Sequence, residues 1–200
     1  MSARQSHLPP EQQPASALGS EALTPEQDSP HSLANRAGRA LWGVAYALLF
    51  RPSPRPLHRW RNLLLRAFGA RLHPTARVYP RARVWSPANL VMDAHSCLAD
   101  DVDCYNVRTI TIGMNSTVSQ YSYLCGATHD FEKPEHPLVP LAITIGKNVW
   151  VAADVFVAPG VTIADGVVVG ARSSVFKDLP AWTVCVGSPA KPVRPREIRS

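Results

Sequence analysis

The chain has 200 residues, 46% of them hydrophobic, with 21 lysines and arginines against 15 aspartates and glutamates, a formal charge of +6. That length admits one folded domain with extensions. The four cysteines (Cys97, Cys104, Cys125 and Cys185) have neither CxxC nor zinc-site spacing, which argues against a metal ribbon and reads as free thiols in a reducing, cytoplasmic compartment.

Residues 1–32 are polar and rich in Pro, Gln and Ser, without the apolar core of a secretory signal, and read as a disordered tail. Residues 33–71 read as a basic amphipathic helical segment. Within it, 33–50 (LANRAGRALWGVAYALLF) form a first helix, which Pro52, Pro54 and Pro56 break. A second helix places Leu57, Trp60, Leu64, Ala67 and Phe68 on one stripe and Arg55, Arg59 and Arg66 off it, with Gly69 as its stop. Between Ser29 and Met92 there are eleven arginines and no aspartate or glutamate. This basic stretch matches no nucleic-acid reading motif and its aromatics fall on the apolar stripes, so nucleic acid is not an expected partner. The apolar run from Ala40 to Phe50 is eleven residues, too short to span a bilayer. The two helices therefore either cap the segment C-terminal to them or make peripheral contact with an anionic membrane surface. The run 40–50 is apolar nearly all round, which favours capping.

Residues 72–200 obey a different rule. From Ile145 to Pro180 an aliphatic residue returns at every sixth position, in the hexads IGKNVW, VAADVF, VAPGVT, IADGVV, VGARSS and VFKDLP, with a small or aliphatic residue four places later. A helix needs apolar residues three or four apart, and a half-buried strand needs strict alternation. A period of six fits a β-solenoid, in which each hexad is one short strand and a turn. The register extends backwards through Leu72, Val78 and Val84, then Met92, Leu98 and Cys104, then Ile112, Val118 and Leu124. Three hexads make a triangular coil, and two extra residues separate successive early trios, so the segment supplies about five coils. The pattern breaks once, after His129, for the loop 130–142, and ends in a C-terminal tail.

His129 ends a hexad at the corner where this loop opens. A solenoid face is nearly featureless, and a loop leaving a corner gives a site its wall, so His129 is the candidate that position selects. His7 and His31 lie in the tail, His58 on the second helix, His73 and His95 in early coils, and His136 in the loop.

The unbroken hexads, the turn GATHD, the stretch IGKNVWVAADVFVAPGVTI and the ending VFKDLPAWTVCVGSPAKPVR resemble the hexapeptide-repeat acyltransferases. RPSPRPLHRWRNLLLRAFGA and SCLADDVDCYNV are similar to the branch of colanic acid or exopolysaccharide biosynthesis O-acetyltransferases. The resemblance covers about residues 35–195 and implies a left-handed parallel β-helix, assembled as a homotrimer, with acetyl-CoA sites between neighbouring subunits. Parallel connections are ordinarily right-handed, so the period alone would not give that hand. The resemblance further implies that His129 is the general base for attack by a sugar hydroxyl. It assigns Trp150, Ala153, Ala171, Lys177, Lys191 and Arg194 to the cofactor side, and Asp103 and Asn106 to the acceptor side. The acceptor would be a free or lipid-linked glycan, and no metal is expected.

A neutral imidazole needs its second ring nitrogen held by a carbonyl or carboxylate; Asp130, Glu132 and Asp103 are the candidates for that role. Two other chemistries remain open from the residues: an acyl-thiol route through Cys125, and a zinc enzyme on the same repeat using His95, His129 and His136.

Overall fold

The computed structural model describes residues 33–198, so the reading of 1–32 as a tail lies outside the described residues. Helix α1 (Leu33–Ala45) runs into a single wide turn, Tyr46–Phe50, and α2 spans His58–Ala67. The prolines between them hold a tight connection. Gly69 ends α2 at φ 94°, with Ala70 N–H donating to Leu65 O, a geometry that glycine adopts without steric cost.

Strands of two or three residues then wind into coils. The first coil is β1 (Arg71–Leu72), β2 (Arg77–Val78) and β3 (Arg83–Val84). The second is β4 (Leu90–Met92), β5 (Cys97–Leu98) and β6 (Asp103–Tyr105). The third is β7 (Ile110–Ile112), β8 (Thr117–Val118) and β9 (Tyr123–Cys125). An antiparallel hairpin, β10 (Ala127–His129) and β11 (Leu138–Pro140), interrupts the winding. The fourth coil is β12 (Ile143–Ile145), β13 (Trp150–Val151) and β14 (Phe156–Val157). The fifth is β15 (Thr162–Ile163), β16 (Val168–Val169) and β17 (Ser174–Val175). A partial sixth turn comes next, through a parallel bridge from Ile163 to Leu179 and β18 (Thr183–Val186), before β19 (Lys191–Pro195) folds back antiparallel on β18.

The strands stack into three parallel faces of a left-handed β-helix. Face A is β1-β4-β7-β12-β15, face B is β2-β5-β8-β13-β16-β18, and face C is β3-β6-β9-β14-β17. Each hexad-leading residue from Leu72 to Val175 is buried, and these side chains fill the prism. The fourth hexad position makes the corner. His95, Asp101, Asn115, Tyr121, Asn148, Asp154 and Arg172 all sit there with φ between 56° and 65°. At the C-to-A corner the first three coils carry the two extra residues. There Asn106 is fully buried, accepting from Ser86 N–H at 2.9 Å and donating to Ser86 O at 2.6 Å.

Helix α2 solves the problem of the open end. Within the stack, hexad-leading carbonyls accept from the preceding coil: Met92 O from His73 N, Leu98 O from Tyr79 N, Cys104 O from Trp85 N. The equivalent carbonyls of the first coil have no coil before them, so side chains of the helices donate instead. Arg66 bonds Leu72 O at 2.7 Å, Arg61 bonds Val78 O at 2.7 Å, and Trp42 Nε1 bonds Val84 O at 2.8 Å. This corrects the expected stripe of α2. Leu65 faces the core together with Arg61 and Asn62, whereas Leu57 and Trp60 are exposed. A face of carbonyl acceptors selects donors over aliphatics, because an unpaired buried carbonyl costs about 1–3 kcal/mol. The helices therefore cap the first coil.

Candidate active site

Gly126 sets the take-off of the hairpin that carries His129. A Cβ at this position would lie 2.5 Å from Tyr105 O, so only glycine lets the third coil pack onto the second there. Gly126 N–H donates to Tyr105 O, and Leu141 N–H donates back to Gly126 O, fixing both ends of the excursion. Within the expected loop 130–142, Leu138–Pro140 form β11, which pairs antiparallel with β10 at the end of the preceding hexad, His129 standing opposite Leu138 in the last pair.

The His129 ring is exposed, and its Nδ1 lies 2.6 Å from His136 O. A carbonyl only accepts, so Nδ1 carries the hydrogen and Nε2 presents a free lone pair. His136 is itself in the left-handed region, at φ 43°, which turns its carbonyl toward the ring. None of the three carboxylates expected to orient His129 does so. Asp130 pairs with Lys133 at 3.1 Å and accepts from Glu132 N–H, and Asp103 pairs with Arg83 at 3.4 Å. A backbone carbonyl carries no residue signature, so the sequence held no signal for it.

The remaining candidates do not gather around His129. Lys177 shares its C-to-A corner, two coils further on and exposed. Asp103 stands half-exposed on face C. It lines a groove of about 250 Å³ with Arg39, Trp42, Tyr46, Arg83 and Trp85. Asn106 differs from the expectation of a sugar contact: its amide is consumed by the corner, and no part of it is accessible. Trp150 lies on face B, half exposed, its Nε1 donating to Ser119 Oγ at 3.0 Å. It borders a groove of about 370 Å³ with Asn115, Thr117, Asn148 and Arg196. Arg196, which sequence reasoning missed, ties the C-terminal strand there by donating to Gly166 O at 3.0 Å. Lys191 and Arg194 lie in exposed β19 at the edge of face B. Ala153 and Ala171 sit at the B-to-C corner. In a triangular prism face B is opposite the C-to-A corner, so a single chain holds the base on one side and the aromatic on the other.

Cys125 is half-buried and its Sγ–H donates to Ala127 O at 3.2 Å, an arrangement directed into the backbone of the corner. His95 stands at the A-to-B corner, away from His129 and His136. Among the described residues no three His, Cys, Asp or Glu side chains converge.

Known proteins share this fold. The bacterial transferase hexapeptide profile, of six repeats, matches residues 142–177. WcaF of Escherichia coli (strain K12), whose name assigns it by inference to colanic acid biosynthesis as an acetyltransferase, is 47% identical over 156 residues, spanning 78% of this chain and 86% of WcaF. A maltose O-acetyltransferase from Clostridium difficile 630 superposes with a TM-score of 0.76 at 26% identity, over 84% of this chain and 91% of that one. The hexapeptide-repeat acetyltransferase VCA0836 from Vibrio cholerae O1 biovar eltor, solved with acetyl coenzyme A, gives a TM-score of 0.75 at 25% identity, over 85% and 93%. The chain belongs to the hexapeptide-repeat acetyltransferases, in the branch that contains WcaF.

Proposed function

We propose that this chain transfers acetyl from acetyl-CoA directly to a hydroxyl of a sugar in an exopolysaccharide precursor of the colanic acid kind, with His129 as general base. The observation that carries the base assignment is the 2.6 Å bond from Nδ1 to the His136 carbonyl, which leaves the lone pair on Nε2 of an exposed ring. A sugar hydroxyl is too weak an acid to attack a thioester unaided at neutral pH. Nε2 takes its proton as the oxygen bonds to the acetyl carbon, which contributes about 10²–10⁴-fold. The His136 carbonyl holds the tautomer and stabilises the positive charge that builds on the ring. Collapse of the tetrahedral intermediate expels the CoA thiolate, which takes up that proton from the imidazolium.

Support for acetyl-CoA as donor comes from VCA0836, whose structure contains it, and from the accessible groove at Trp150. Lys177, Lys191 and Arg194 would meet the cofactor's phosphates, and Ala153 and Ala171 would let it approach the coils. Because the base and the aromatic lie on opposite sides of one prism, the site is complete only where two copies meet, which supports a homotrimer. The acceptor side falls to Asp103, beside the groove that Trp85 and Tyr46 line; Asn106 would act there only by holding the corner. A cytoplasmic enzyme in peripheral contact with the inner face of a membrane would reach a free or a lipid-linked glycan. His129→Ala tests the reading: kcat/KM for acetyl transfer should fall at least about 10²-fold with CoA affinity nearly unchanged. A loss of two- or three-fold would remove the general base.

A further inference from the structure

Capping uses only one side of the helical hairpin. Its inner side buries Trp42, Phe50, Arg61, Asn62 and Leu65 on the first coil. Its outer side presents Leu41, Val44, Leu48, Leu49, Trp60 and Leu63, each 39–68% exposed. Leu41, Val44 and Leu48 recur at helical spacing on one stripe, and Trp60 Nε1 donates to Leu49 O at 3.1 Å, joining that stripe to α2.

Charge borders this surface. Arg51 and Arg59 are exposed and make no ion pair among the described residues. Arg51 also opens a cleft of about 430 Å³ with Arg55 and Arg81, where Asp100 is the one lining acid. Asp100 is already engaged by Arg55 at 2.6 Å. No acidic residue lies between Ser29 and Met92 to supply further countercharge.

We propose that the outer side of this hairpin is a docking surface for an anionic phospholipid bilayer. Large apolar side chains bordered by arginines match the boundary between acyl chains and negatively charged headgroups. A second copy of the chain fits less well, because its own hairpin carries the same acid-free, arginine-rich sequence and would bring like charges together. Among the described residues no helix is long and apolar enough to cross a membrane, so the contact lies in the interface.

The docking has a geometric consequence, which rests on the acetyl-transfer reading. His129 belongs to the third coil. Two coil spacings of about 5 Å each and a helix layer of roughly 10 Å put its ring about 20 Å above the lipid plane. That height suits a short glycan carried on a lipid.

The test is cosedimentation of the full chain with vesicles of phosphatidylglycerol and phosphatidylcholine, against vesicles of phosphatidylcholine alone. Binding should be at least about tenfold stronger to the anionic vesicles, and should weaken by a similar factor between about 0.1 M and 0.5 M salt. Leu48→Asn with Leu63→Asn, and separately Arg51→Glu with Arg59→Glu, should each lower binding at least about tenfold while melting temperature and oligomer mass stay unchanged. All four positions are exposed, so these pairs leave the core intact. Failure of the intact chain to bind anionic vesicles, or binding insensitive to both pairs, would overturn the proposal. A change in oligomer mass with the Leu48/Leu63 pair would instead assign the surface to another copy and overturn it equally. Acetyl transfer to a soluble sugar, measured on the same preparations, should be retained by both pairs. Its absence in the intact chain would count against the catalytic reading alone.

Discussion

His129 is held by the backbone of residue 136, and that separates two roles which the side chain at 136 could otherwise be given. If only the carbonyl matters, His136→Asn should keep kcat within about threefold, because Asn tolerates the left-handed backbone found there at φ 43°. A metal-ligand role would make the same change abolish activity, so steady-state kinetics with and without a chelator decide between them. Lys177→Ala and Arg194→Ala should each raise the apparent KM for acetyl-CoA about tenfold or more, as expected for loss of a charge-assisted bond worth roughly 1.5–3 kcal/mol. Unchanged KM in both would make them surface charges. Position and resemblance together were enough to single out His129 as the candidate base. Its orienting group was not readable, because every residue has a carbonyl and only the turn decides where it points. The burial of Asn106 was hidden for a similar reason: an Asn at a corner reads the same whether it faces a ligand or straps the next coil.

The helical cap shows where pattern reading at the scale of an element fails. The sequence shows that two basic helices precede the coils, and the structure agrees with their bounds to within a few residues. Hydrophobicity alone selects the stripe of Leu57, Trp60, Leu64, Ala67 and Phe68 for burial, but the surface α2 covers is a row of carbonyls, so Arg61 and Asn62 go inside. Arg61 satisfies Val78 O, Pro54 O, Arg55 O and Ser53 Oγ at once. Arg61→Met should therefore cost about 3 kcal/mol or more in denaturant unfolding, despite being apolar and of similar length. His58 packs beside it. Nδ1 lies near both Arg61 Nη2 and Val78 O. Since the guanidinium always donates, Nδ1 accepts from Arg61, and Val78 O is served by Arg61 Nε. Burial first, and the adjacent Arg61 charge after it, hold the His58 pKa below its usual 6.5. The unfolded chain then takes up the proton before the folded one does. His58 thus contributes stability that is full above about pH 6.5 and is lost as the pH falls through that value toward the folded pKa. The melting temperature should drop on acidification through that range, and His58→Gln should flatten the slope; an unchanged slope would remove His58 as its source.

At the scale of the whole molecule, the period of six is sufficient to place every hexad-leading residue in the core, since three equal sides leave one inward position per strand. The count of about five coils is met by five complete ones, and the partial sixth escaped because Leu179 follows Val175 by four residues, which breaks the period of six before Leu179 and Cys185 resume it. No sequence period reports how copies meet, yet the proposed site depends on it. His129 stands at one corner and Trp150 on the face opposite, so the central claim is that the general base of one chain serves the acetyl-CoA groove of another. Mixed oligomers of His129→Ala and Trp150→Ala chains, each inactive alone at limiting acetyl-CoA, measure this directly. Random one-to-one mixing should restore about a quarter of the wild-type activity, because that fraction of junctions pairs an intact base with an intact groove. Acetyl transfer that stays at the level of the two parent variants after mixing would contradict the account.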